Sequence, residues 1–266
     1  MKIARILLPD GMVHYARPID EGGVAMELLT GDPFQGVQPT GEKKTEFTLL
    51  APMVPEVILC VGLNYRKHAE EMNAKIPMFP VLFLKNPSAV LDPGAAIRIP
   101  RKLISRQVDY EGELAIVIGK SCLNATRENA LDHVLGYTVA NDVSARDWQR
   151  DWGGSQWCRG KSFDTFAPMG PWLVTSDEIP YPNSLRITTR VNGEPLQDSN
   201  TGDMIFDVPA LIEFLSGDTT LPVGSVILTG TPSGVGVGRT PPRWLLPGDR
   251  VEIEIEKIGV LCNPVA

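Results

Sequence analysis

Residues 107–120 read QVDYEGELAIVIGK. The second half, LAIVIG (114–119), is apolar and rich in β-branched residues, the pattern of a strand buried in a core. The first half carries Asp109, Glu111 and Glu113 at every second position. Side chains of a strand alternate faces with period two, so Glu111 and Glu113 point the same way. Asp109 joins them if the strand already runs there. Like charges this close repel, and burying them unpaired costs several kcal/mol or drives a proton onto one of them. Residues 251–259, VEIEIEKIG, repeat the alternation with Glu252, Glu254 and Glu256. No further polar residues converge on that second run, and it reads as a solvated strand face. For the first run, spacing alone leaves surface acids and turn caps open beside a metal site.

The rest of the chain supplies the frame. Its 266 residues hold 25 Gly and 23 Pro, evenly scattered, so turns are many and long helices few. KIARILLP, GVAMELLT and TEFTLLAP read as short strands of a small β-rich N-terminal domain over residues 1–54. Residues 55–266 then form the larger domain. In it EVILCVGLN, PVLFLKNPS, GELAIVIGK, VLGYTVANDVS, LRITTRVNGEP, SVILTGTP and RVEIEIEKIGVLCNPV read as strands. YRKHAEEMNAK, TRENALDHV and FDVPALIEFLSGD have helical character, the last with Pro209 near its start, where proline is tolerated. Strands dominate and do not alternate with long helices, which excludes a doubly wound sheet and predicts a mixed, mostly β barrel or roll.

A formal net charge of −7 leaves no basic excess to neutralise a nucleic-acid backbone. No apolar run approaches the ~18–20 residues needed to cross a bilayer. The N-terminus lacks the apolar core and small-residue cleavage site of a signal peptide, so a cytoplasmic protein is expected. Cys60, Cys122, Cys158 and Cys262 form no C-x-x-C pair and are expected as free thiols.

About thirty residues after the acidic run, YTVANDVSARDWQ ends a strand in Asn141 and Asp142. A third acid at a strand end could complete an oxygen site for Mg²⁺, Mn²⁺ or Ca²⁺. In GLNYRKHAEEM, His68 and Glu71 are three apart on one helical face. They form either a general base with its orienting carboxylate or a surface ion pair. Lys161, in WCRGKSFDTFAPMGPW, either faces an anionic substrate or is a surface lysine. SVILTGTPSGVGVG is a strand followed by a glycine-rich turn that lacks the Gly-Lys-Ser/Thr of a phosphate loop. Its backbone N–H groups could hold a carboxylate, or the turn is merely structural. Met72–Phe79 and RDWQRDWGGSQW (146–157) are expected to shape the far end of a site. Trp148, Trp152 and Trp157 could form an apolar wall there, with packing the preferred reading.

The motifs GLNYRKHAEE, VDYEGELAIVIG, GYTVANDVSARDWQ, GKSFDTFAPMGPW, VNGEPLQDSNTGDMIF and ILTGTPSGVG occur in that order. Together they resemble the fumarylacetoacetate hydrolase superfamily, over roughly Val57 to Val265. The segment GRTPPRWLLPGDRVEIEIEKIGVLCNPV further resembles the branch that holds fumarylacetoacetate hydrolase domain-containing protein 2 and its bacterial relatives. The resemblance implies a mixed β-roll, a homodimer and a metal, Mg²⁺ or Mn²⁺ with Ca²⁺ as a third choice, at the roll's mouth. It assigns Glu111, Glu113 and Asp142 as metal ligands, His68 and Glu71 as a catalytic dyad on a closing segment, and Lys161 as the lysine beside the metal. Gln149, Thr231, Arg146 and Lys85 match substrate contacts. Arg146 is also placed to orient Asp142, and Asn86 interrupts the family pattern after Lys85. Asp109 is implied as an auxiliary acid outside the ligand set.

The implied activity is that of a metal-dependent enzyme on a small 2-oxo or 1,3-dicarbonyl acid. The intact dyad favours C–C hydrolysis of an acylpyruvate or decarboxylation of oxaloacetate. Isomerisation of a 2-hydroxyhepta-2,4-dienedioate or carboxymethyl-hydroxymuconate diacid, as in aromatic catabolism, is the alternative. A catalytically silent metal- and ligand-binding protein is the alternative of another class.

Overall fold

A strand of apolar residues needs cover on both faces, and Gly112–Ile118 receives it. In the computed structural model, which describes residues 1–20, 22–152 and 154–266, every residue of that strand is buried. Leu114, Ile116 and Ile118 join one apolar cluster with Ile187, Ile253 and Ile255. Ala115 and Val117 join another with Ile58, Cys60, Phe83 and Ala140. The period of two has sorted the strand between two cores. Gly153, inside the Arg146–Trp157 stretch, lies outside the described residues.

This strand stands within a 12-stranded sheet. It pairs antiparallel with Val134–Asn141 on one side and Val226–Leu228 on the other. Ile58–Gly62 runs parallel to Val226–Leu228, and Val81–Lys85 closes that end as the edge strand. In the other direction lie Ala167–Thr175, Lys2–Leu7 and the N-terminal strands Val13–Pro18, Met26–Asp32 and Gly36–Lys44. Lys2 sits opposite Val174 and Ile3 opposite Leu173, so the N-terminal residues continue the main sheet. A second, 4-stranded sheet comprises Glu194–Asn200, Arg186–Val191, Arg250–Ile255 and Gly259–Pro264. The result is mostly β, open and roll-like, and its α-helices are short: Arg66–Glu71, Trp157–Lys161 and Val208–Ser216. Asp207 caps the last by accepting from the Ala210 amide at 2.9 Å.

In the second sheet Val251, Ile253 and Ile255 are buried while Glu254 and Glu256 face solvent. The alternating acids of that hairpin are the solvated face their isolation suggested. Ala167–Thr175, by contrast, escapes a reading by pattern. Pro168 and Pro171 argue against a central strand. The ladder accommodates them by shifting register between Tyr137 and Val139, across from the segment that holds Pro171.

Gly112 marks where the two sheets meet. A Cβ there would collide with Thr189 Oγ1 and come within 3.1 Å of Ile253. Its amide donates to Gln197 Oε1 at 3.0 Å. Gly112→Ala should therefore destabilise the fold by about 1–3 kcal/mol through overpacking, lowering the thermal midpoint by ~2–4 °C per kcal/mol. An unchanged melting curve would mean that the sheets are not in contact at this point.

Candidate active site

Strand register decides which acids meet. Gly112 lies opposite Asn141 and Glu113 opposite Ala140. Glu111 and Glu113 share the face of Ala115 and Val117, and Asp142 shares that of Ala140. All three carboxylates thus leave one face at the same end of two paired strands. Oxygens of Glu111, Glu113 and Asp142 lie within 4.8 Å of one another, and the residues are 5%, 2% and 0% exposed.

Cations from three other segments converge on them. Lys161, at the end of the Trp157–Lys161 helix, places Nζ 2.8 Å from Glu111 Oε2, 2.6 Å from Asp142 Oδ2 and 2.7 Å from Ser144 Oγ. Lys85, on the edge strand, donates to Asp142 Oδ1 at 2.5 Å and to the Val143 carbonyl at 3.1 Å. Arg146 places Nη1 2.6 Å from Glu111 Oε1 and Nη2 2.7 Å from Asp109 Oδ2. Glu113 pairs with none of these cations; the Gly230 amide donates to its Oε2 at 2.7 Å.

The electrostatics follow. Burial alone pushes Glu111 up, but the Lys161 and Arg146 charges outweigh it and hold this carboxyl well below the usual range. Burial pushes Glu113 well above that range, and the neighbouring Asp142 and Glu111 charges add to the rise. Burial also works against the Lys161 cation, yet Asp142 and Glu111 keep it charged. One buried carboxylate is left without a compensating cation beside two further hard oxygen donors. That donor set suits Mg²⁺, Mn²⁺ or Ca²⁺. Asp109 does not belong to it. Its two oxygens accept from the amides of Tyr110, Gly236 and Val237 and from Arg146 Nε at 2.8–3.1 Å, which leaves it to anchor Arg146.

The glycine-rich turn holds carboxylates, and they are the chain's own. Gly230 takes Glu113, Gly234 donates to Glu71 Oε1 at 2.8 Å, and Gly236 takes Asp109. A Cβ at Gly238 would come within 2.6 Å of Glu71 Cδ, so glycine lets the loop close on that residue without displacing its carboxylate. Glu71 Oε2 meets His68 Nδ1 at 2.9 Å. A carboxylate only accepts, so Nδ1 carries the proton and Nε2 the lone pair.

A cavity of about 260 Å³ opens between these elements. His68, Glu111, Glu113, Arg146, Gln149, Lys161 and Thr231 reach it, and Glu71, Asp109 and Asp142 stand behind them as partners. Lys85 does not reach it: its side chain is fully buried behind Asp142, so the expected substrate contact is in place a support for an acid. Arg146 orients Glu111 and not Asp142. Thr231 spends its hydroxyl on the Gly112 carbonyl and the Gln197 amide, at 3.1 and 2.8 Å.

Trp157 does form a wall. It packs edge-on against Phe83 at 5.4 Å, and it lies so close to Gly62 that a Cβ there would strike its ring. Trp148 and Trp152 pack on each other. Two contributors escaped the sequence reading: Phe83 and Ser144. Arg150, which also lines the cavity, belongs to the 146–157 stretch expected to shape the far end of the site.

Known proteins resemble this chain in sequence and in fold. The family model described as fumarylacetoacetate (FAA) hydrolase C-terminal matches residues 57–266, and one described as Rv2993c-like, N-terminal, matches residues 1–52. The mitochondrial oxaloacetate tautomerase fahd2 of Xenopus laevis is 51% identical over 223 residues, 84% of this chain and 69% of that one. The crystal structure of 5-carboxymethyl-2-hydroxymuconate delta-isomerase from Mycobacterium smegmatis superposes with a TM-score of 0.87 at 39% identity, covering 100% of this chain and 99% of that one. The fumarylacetoacetate hydrolase of psychrophilic Exiguobacterium antarcticum gives a TM-score of 0.88 at 38% identity, with the same coverage.

Glu113 supplies a test of the oxygen site. Its pKa is raised in the folded protein, so without metal the folded state holds this proton to higher pH than the unfolded chain. The contribution of Glu113 to metal-free stability should thus be greatest below its ordinary value of 4.5 and fall as pH rises above it. Glu113→Gln should remove that loss, raising the metal-free thermal midpoint at pH 8. It should also abolish the upward shift that Mg²⁺ or Mn²⁺ gives the unaltered protein. An equal shift in both proteins would place the cation elsewhere.

Proposed function

The chain belongs to the fumarylacetoacetate hydrolase family, and we propose that within it the protein is a divalent-metal-dependent tautomerase of oxaloacetate or a closely related 2-oxo diacid. One observation carries the reading. His68, held by Glu71 behind it, lines the same cavity as Glu111, Glu113 and Lys161.

Glu111, Glu113 and Asp142 would hold the cation, which supplies the Lewis-acid charge that acidifies the carbon beside a 2-oxo group. His68 Nε2 takes a proton from that carbon. Glu71 fixes the ring's tautomer and faces the imidazolium that forms, and the Gly234 amide keeps Glu71 in place. The Lys161 ammonium offsets the negative charge that develops on the 2-oxo oxygen. Delivery of the proton to that oxygen completes the ketone-to-enol conversion. The two species are isomers, so no water is consumed and no C–C bond breaks.

The names of the relatives support proton transfer over the hydrolysis or decarboxylation that the dyad alone favoured. An oxaloacetate tautomerase and a hydroxymuconate isomerase both move a proton without cleaving carbon. C–C hydrolysis remains the second reading, supported by the similarity to a fumarylacetoacetate hydrolase. A homodimer is part of the same proposal. The edge strand Val81–Lys85 turns Leu82 and Leu84 outward at 48% and 44% exposure, an apolar margin suited to cover by a second copy.

Two measurements test these proposals. With Mg²⁺ or Mn²⁺ present, decay of the oxaloacetate enol should be accelerated, with no matching release of CO₂ or pyruvate. His68→Ala should lower that rate about 10²–10⁴-fold, the usual contribution of a general base, and chelation should remove it. Carbon cleavage at the rate of enol decay would replace the tautomerase with a lyase or hydrolase. Oxalate binding without turnover of any 2-oxo acid would indicate a silent binding protein. Separately, Leu84→Glu should shift the sedimentation of a dimer to that of a monomer; an unaltered dimer would place the interface elsewhere.

A further inference from the structure

Arg150 enters the cavity from the same helical turn as Arg146 and Gln149. The turn is tied by the Trp152 amide to the Asp147 carbonyl at 2.9 Å. Arg150 is exposed as a residue and so stands at the mouth, whereas Arg146 and Lys161 are buried at the floor.

The buried cations at and behind the floor are all engaged. Lys161 is paired with Glu111 and Asp142, Lys85 with Asp142, and Arg146 with Asp109 and Glu111. Among the described residues Arg150 forms no ion pair, and it is the only cavity-lining cation of which that is true. Partial burial and the like charge of Arg146 both work against its cation, so an anion brought to it relieves an existing repulsion. Met72, Phe83 and Trp157 line the cavity with apolar or weakly polar surface and offer no competing charge.

We propose that Arg150 binds the distal carboxylate of the substrate and selects 2-oxo dicarboxylates over acids that are neutral at the far end. The inference rests on the 2-oxo acid reading of the site. A substrate whose 2-oxo acid end lies among Glu111, Glu113 and Lys161 turns its other end toward the mouth. A guanidinium there offers a planar, two-point fit to a carboxylate. Oxaloacetate and longer unsaturated diacids have that second carboxylate, and their monoesters do not.

The test compares oxaloacetate with its 4-methyl ester in the Mg²⁺-loaded protein, by calorimetric binding and by KM. Arg150→Met should weaken oxaloacetate about 10–100-fold relative to the ester, the fold-change expected on losing one hydrogen-bonded charge pair. Arg150→Lys should recover part of the preference. A purely structural role would weaken both ligands alike and would not respond to lysine. Equal weakening, or no change in the preference, overturns the proposal. If the unaltered protein prefers the dianion through Arg150 but turns over no 2-oxo acid, the site assignment stands and the tautomerase reading falls. If it turns over diacid and ester without preference, the tautomerase reading stands and the role of Arg150 falls.

Discussion

Three carboxylates held within 4.8 Å of one another in a protein interior repel strongly, and much of the surrounding structure answers that repulsion. Lys85 arrives from the edge strand, Lys161 from a short helix and Arg146 from the turn after Asp142. Together they offset the charges of Glu111 and Asp142 and leave Glu113 without a cation of its own, so burial and the neighbouring carboxylates favour its protonated form. Such a set is unfavourable as a purely structural device, because buried ion pairs seldom outperform apolar packing. It makes sense as a socket whose remaining charge deficit a cation completes.

The glycine-rich loop after Val226–Leu228 ties that socket to the base. Its amides hold Glu113, Glu71 and Asp109 through Gly230, Gly234 and Gly236. Gly230 and Gly234 have φ of +95° and +102°, a region open to glycine at little cost. A Cβ at Gly230 would also sit 2.7 Å from Asn64 Cβ. One loop thus sets an oxygen ligand, the carboxylate that orients His68 and the anchor of Arg146. A shift in this loop would disturb all three together.

Residue pattern carried some of this and not the rest. Period two in QVDYEGELAIVIGK put Glu111 and Glu113 on one face. The same period in VEIEIEKIG put Glu252, Glu254 and Glu256 on another. The first face is buried beneath strand and helix, and the second is washed by solvent; nothing in the alternation distinguishes them. Ordered motifs led to Asp142, His68, Glu71 and Lys161, and the structure gathers all four around Glu111 and Glu113. The motif position of Lys85 suggested a substrate contact, while its buried strand face turns it toward Asp142. Arg150 was marked only as one residue of the 146–157 stretch expected at the far end. The strand Ala167–Thr175 was hidden by its prolines.

The sequence by itself determined local periodicity, and with it the mostly β character, the short helices and the shared face of Glu111 and Glu113. These depend on backbone geometry and on side chains a few positions apart. Tertiary structure alone decided which acids are buried, which lysine reaches the cavity and which carboxylate lacks a cation. Those outcomes depend on groups 50 or more residues distant along the chain, as with Lys161 and Glu111 or Gly230 and Glu113. Their meeting is fixed by strand register and sheet packing, which no local window of residues contains.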